Sequence, residues 1–273
     1  MDELVFNIAG ASARLRAPSD LMGVVDRMLA NVSRNPAGQD RPLHVDARFE
    51  SNVWYVGGVS PQSMKVFEQG SPLPQVAGGV IASLVAEVAH HQEMSVWRAA
   101  VLEKGGDALV LGGDDWESCI TLAAHLHTRG WRFVSCDYAL VRPPDLNAVR
   151  FEKSLHANSS CISSFPRSYR RAVEESPWYS TSDQIAFYAI DPTIVDSETP
   201  WADEARICGF LKVDGHVADH ASIEPSDDFQ LGAHLRRQDL LRAGIAVGTL
   251  VRSGFSETCD FIEHWFSALP SRS

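Results

Sequence analysis

The sequence has no surplus of basic residues. Its 24 lysines and arginines face 35 aspartates and glutamates, a formal net charge of −11 with a pI near 5.3. Nucleic acid and anionic membrane surfaces both need concentrated positive charge, so neither is an expected partner. The short basic cluster Arg167, Arg170 and Arg171 reads as a solvated face. Cysteine is scarce and scattered: Cys119, Cys136, Cys161, Cys208 and Cys259 form no C-x-x-C pair. That spacing opposes a zinc ribbon or a disulfide framework and fits reduced thiols. Long apolar runs are missing as well, since the most apolar stretch, Val76 to Ala86, is too short to cross a bilayer. The start, Met1-Asp-Glu-Leu-Val5, lacks the basic residues and apolar core of a signal peptide, so a cytoplasmic protein is expected. There is no internal repeat and no low-complexity tail.

What is present is enough apolar material for a large core: 273 residues, 45% hydrophobic and 22% charged. Leu4 to Ile8 and Ala13 to Leu15 read as paired strands around the turn Ala9–Ser12. Asp20 to Asn31 has helical spacing, with Ser19 or Asp20 as its cap. Leu43 to Phe49, Val53 to Val56 and Met64 to Phe67 are further strands, and Val80 to His90 is a buried helix. The expected organisation is α/β, with a strand-rich lobe over residues 1–75 and a larger domain over 76–273. In the second part, Ile207 to Val213 is a strand, while Leu231 to Ala243 and Glu257 to Leu269 are amphipathic helices. Residues 165–204 show no clear period and read as irregular or lid-like.

The stretch from Ala108 to Asp137 organises the rest. It reads as a buried strand, a glycine turn at Gly112-Gly113, a helix over 117–128 stopped by Gly130, and a second strand. That is the layout of a phosphate-binding loop, whose working form is G-x-x-x-x-G-K-[ST]. Aligned on Gly113, this chain puts Ser118 for the second glycine, Cys119 for the lysine and Ile120 for the hydroxyl. Thr121 supplies a hydroxyl only if the loop shifts by one residue. Asp114, Asp115 and Glu117 crowd the place of the phosphates. Each carboxylate about 5 Å from a phosphate oxygen costs roughly 3 kcal/mol at an effective dielectric near 20. Asp115 stands where an N-cap belongs and Glu117 in the first turn, so the helix end is expected to be satisfied by its own chain.

Several segments together resemble the HPr kinase-related family, relatives of the HPr serine kinase/phosphorylase that share the P-loop core of phosphoenolpyruvate carboxykinases. Arg129-Gly-Trp-Arg-Phe-Val-Ser-Cys-Asp137 resembles the family's R-G-[WF]-R-x-[LV]-S-D-D, and Phe151-Glu-Lys-Ser-Leu-His156 its F-P-K-S-L-H. The resemblance implies a P-loop core with a smaller strand-rich amino-terminal lobe. In the family a lysine holds the β-phosphate, and the first aspartate of the pair activates the acceptor hydroxyl. Carried over, the lysine position is Cys119 and the first aspartate is Cys136, while Asp137 and Lys153 are retained.

These replacements remove charge neutralisation, the main means of phosphoryl transfer. The expectation is therefore a non-catalytic relative that binds a peptide or protein partner, with no cofactor and no metal. Two enzyme readings stand as alternatives: a serine kinase using Asp137, Lys153 and Thr121, or a cysteine site built on Cys119, Cys136 and His156. A structural homo-oligomer subunit is a third class. The acids of the loop match no calcium-loop spacing, so a solvated acidic turn is the expectation there.

Overall fold

Strands β1 (Asp2–Ile8) and β2 (Ala11–Ala17) pair antiparallel as predicted, but around Ala9 and Gly10 alone, with Ala11 and Ser12 of the expected turn already in β2. Along β2, Ala11, Ala13, Leu15 and Ala17 face the core, while Arg14 and Arg16 pair with Glu3 on the other face. Helix α1 (Ser19–Met28) buries Leu21, Met22, Val25 and Met28. It starts from Pro18, whose φ of −57° leads into the first turn, so Ser19 and Asp20 are helical residues and no side chain caps the end. Strands β3 (Leu43–Glu50), β4 (Val53–Gly57) and β5 (Lys65–Glu68) complete a sheet in sequence order, with β2 and β3 parallel and the other neighbours antiparallel. Helix α2 (Leu73–His91) begins earlier than its apolar pattern predicts, because Pro72 precedes it and Pro74 sits in the first turn, where no amide is needed. The computed structural model describes residues 1–32, 34, 42–60, 63–175, 178–180, 186–195, 200–225, 230–231 and 235–270.

The second sheet starts with the hairpin of β6 (Ser95–Lys104) and β7 (Asp107–Gly112), turned by Gly105 and Gly106 at φ 68° and 93°. Helix α3 (Trp116–His127) follows and ends before Gly130, then come β8 (Arg132–Ser135), β9 (Tyr138–Arg142), β10 (Asn147–Val149) and β11 (Leu155–Asn158). Residues 165–204 are more regular than their composition predicts. They hold α4 (Arg167–Glu175), β12 (Trp178–Ser180) and β13 (Ala186–Ile190), with β13 pairing β11 and β12 in a small sheet. Residues 176–177, 181–185 and 196–199 of this stretch lie outside the described residues.

Strand β14 (Glu204–Val217) extends the predicted strand at both ends, and β15 (Ser222–Glu224) follows it. The predicted helix over 231–243 is much shorter. Leu231 belongs to β16 (Gln230–Leu231) and Leu235 to β17 (Leu235–Arg236), and α5 is only Arg237–Arg242; residues 232–234 lie outside the described residues. Strand β18 (Ala246–Arg252) and helix α6 (Phe255–Ser267) finish the chain.

The large sheet runs β10-β9-β6-β7-β14-β18-β15, with β8 also paired to β6 and the central trio β7, β14 and β18 parallel. Helices α3 and α6 cover one face through Leu122, Leu126, Cys259 and Ile262; α5 meets the other at Leu240. Burial on both faces explains the near-continuous apolar runs of β6 and β7. Helix α2 packs on α1, β2, β3 and β4, and also on β6 and β9. Leu140, Val149 and Phe151 of the second part join the first core accordingly. Over 19 residues at mean hydropathy 1.3, α2 has the length and composition of a membrane span, and 56% of that window is buried inside the protein. Among the described residues the chain is a mixed α/β protein with six helices and several sheets.

Candidate functional site

The turn after β7 lies at the carboxyl end of the parallel strands, beside the ends of β14 and β18. Gly113 has φ 141°, and a Cβ there would stand 2.6 Å from the Val213 carbonyl oxygen, so glycine is required by both backbone and space. Asp115 caps α3, its Oδ1 accepting from the Ser118 amide at 3.1 Å. Its Oδ2 lies 4.0 Å from Arg252 Nη2. The carboxylate thus occupies the helix end where a bound anion would seek amides and dipole. Glu117 accepts from Asn158 Nδ2 at 2.5 Å and from Ser160 Oγ at 3.3 Å. Thr121 is buried and gives its hydroxyl to the Glu117 carbonyl at 2.7 Å, the ordinary fate of a mid-helix threonine. Cys119 is fully buried, and its thiol is pushed up first by burial, then by the charge of Asp115.

The turn between β8 and β9 carries the second group. Lys153 is 1% exposed and its Nζ lies 2.9 Å from Asp137 Oδ2. Burial raises the Cys136 thiol well above its ordinary value, although Lys153 pulls it the other way. Burial, with the charge of Lys153 second, lowers the His156 imidazole well below its ordinary value. His156 Nε2 is buried with no hydrogen-bond partner. Asp137, Cys136, Lys153 and His156 are therefore brought together electrostatically around one buried ammonium. Both thiols are free, and a raised pKa keeps each in the unreactive protonated form.

The two groups meet at one cleft of about 400 Å³. Its floor comes from Trp116, Glu117 and Ile120 of α3, Asp137 and Tyr138, and His156 to Asn158 at β11. Met28 at the end of α1 and Pro72, Pro74, Gln75 and Gly78 at the start of α2 also line it. Of the residues expected at the site, Asp137 and His156 line it, and Gly113, Asp115, Ser118, Cys119, Thr121, Cys136 and Lys153 do not. Sequence reasoning missed Arg98, which lines the cleft with its guanidinium 5.4 Å from the centre of the Trp116 ring. Strand alternation gives the available signal: Arg98 is a lone charge between buried Trp97 and Ala99 and pairs with Tyr138 across the ladder. Among the described residues, no group of three or more histidines, cysteines or carboxylates is arranged to hold a metal ion.

Neither a protein-family description nor a curated protein sequence matches the chain. One similar solved structure is the Hpr(Ser) kinase/phosphatase from Coxiella burnetii, at TM-score 0.31 and 12% identity over 63% of this chain and 92% of that one. A superposition of that quality fixes neither topology nor chemistry.

Proposed function

We propose that the chain is a non-catalytic binding protein with a degenerate P-loop core. In this reading its nucleotide site is closed by its own Asp115, and its cleft takes a peptide or a segment of a partner protein. The cleft lies between the strand-rich lobe, residues 1–75, and the larger part, residues 76–273. The observation that carries the reading is the Asp115 carboxylate bonded to the first turn of α3. A phosphate placed there would have to displace a covalently attached anion and tolerate Asp114 and Glu117 nearby, at roughly 3 kcal/mol for each carboxylate about 5 Å away. Millimolar-to-micromolar nucleotide affinity is only about 4–8 kcal/mol, so two such terms cancel it. The buried thiol of Cys119 supplies nothing in place of a loop lysine, and the charge of Lys153 is already matched by Asp137.

The test is thermal unfolding with and without millimolar ATP and Mg²⁺. No change in midpoint is expected, because only a ligand that binds the native state raises its stability. A clear rise that disappears in Asp137→Ala would replace this reading with the kinase reading. That second reading is favoured by one observation: Asp137, paired with Lys153, and His156, whose imidazole burial holds well below its ordinary value, both line the cleft.

A further inference from the structure

We infer that a second cavity, at the carboxyl end of α2, is a site for a small organic amine whose ammonium group pairs with Glu87. This site is separate from the cleft and does not depend on the binding-protein reading. The cavity, of about 440 Å³, lies where the last turns of α2 meet the start of β3 and the connection from β4 to β5. Among the described residues two glutamates are buried, Glu87 and Glu103. Glu103 has its counter-charge, Arg132 at 2.7 Å. Glu87 lines the cavity at 3% exposure, and among the described residues no cation stands within ion-pair range of it. Its partner there is the Ser60 amide, which donates to Oε1 at 2.5 Å. A carboxylate taken out of water is costly unless it is paired, so an open space beside this one calls for a cation. The end of α2 adds to that demand, because the carboxyl end of a helix carries the negative pole of its dipole.

The carboxylate is held in place by the connection that packs on it. A Cβ on Gly58 would stand 2.5 Å from Glu87 Oε1 and 2.6 Å from the His44 carbonyl oxygen, so glycine lets the backbone pass there. The Gly58 amide donates to Ser63 Oγ at 2.8 Å, and Ser83 of α2 donates to the Ser63 carbonyl at 2.5 Å. This fixing reduces the ordering cost of binding. The lining then selects the kind of cation. Among the described residues no three histidines, cysteines or carboxylates are arranged for a metal ion, and the volume is that of a small-molecule site. One carboxylate oxygen already serves Ser60, which suits a compact ammonium better than a guanidinium fork that wants both. An ammonium has further N–H donors to place, and His44, His90 and His91 line the same cavity; a neutral imidazole offers one accepting nitrogen. Leu43 and Val59 give apolar surface for the alkyl stem.

The test is an NMR titration of the full chain with pentylamine, pentylguanidine and pentanol, following the amides of Gly58 and Ser60. It is run near pH 8, where an ordinary imidazole is neutral, and in about 0.15 M salt, which screens loose attraction to an acidic surface. Pentylamine should shift both amides saturably, pentylguanidine should bind more weakly, and pentanol, of the same shape without the charge, weakest of all. Glu87→Gln keeps an oxygen for the Ser60 amide and removes the charge, so it should bind pentylamine at least about tenfold more weakly while its urea midpoint shows that it still folds. If that variant unfolds, pentylamine against pentanol on the wild type decides alone. No saturable shift, pentanol or pentylguanidine binding as tightly as pentylamine, or a folded Glu87→Gln with unchanged affinity overturns the inference. The binding-protein reading is untouched by any of these results.

Discussion

Lys153 shows how a single side chain can be visible in a sequence and still be misjudged. An ammonium that is 1% exposed survives only beside a counter-charge, and Asp137 provides it. The sequence singles both residues out only through a resemblance, and nothing local says that they neutralise each other. They lie in separate segments, joined by the strand turn between them. The same is true of Cys119 and Cys136, whose positions suggested nucleophiles and whose burial removes the thiolate. Away from the cleft, Glu263 has a clear consequence for acid stability. Burial alone would raise its carboxyl, but bonds from Lys104, Trp131 and Arg129 outweigh that and hold it below its ordinary 4.5. A depressed folded pKa means stability that is complete above the unfolded value and lost as pH falls through the folded one. Urea midpoints measured from pH 6 downward should therefore fall below about pH 4.5. Glu263→Gln should start less stable at neutral pH and decline less steeply over the acid range.

Elements were legible where their chemistry is local. The start of α3 is written in Asp115, because an N-cap needs only its own next three residues. Asp115→Ala should cost about 1 kcal/mol in urea denaturation, while Asp115→Asn, which keeps an accepting oxygen, should cost much less. Equal losses in the two variants would mean that the charge facing Arg252, not the cap, holds the turn. Elements failed to show where the pattern was thin. Helix α4 is a run of arginines and glutamates with Tyr169 and Ala172 as its buried anchors, too few for a clear period. Over 231–243 the apolar spacing was real, but part of it belongs to strand residues ahead of α5. Apolar spacing in so short a window does not distinguish the two.

At the scale of the whole molecule, α2 is the piece that the sequence described and did not place. Its apolar residues go round much of the circumference, which signals burial on more than one side. Which sheets it would touch is a long-range matter, settled by Leu140, Val149 and Phe151 entering the core of the first sheet. The same helix lines the cleft with Pro74, Gln75 and Gly78 while its other faces are packed against both sheets. That placement bears on the time course of binding. A wall anchored to both halves cannot swing out to admit a ligand, so the cleft offers its full shape at every encounter. In stopped-flow mixing with a peptide that binds the cleft, the signal should be a single exponential whose rate rises linearly with peptide concentration. A rate that levels off at high concentration would reveal a slow rearrangement before or after contact, and with it a hinge that the packing of α2 forbids.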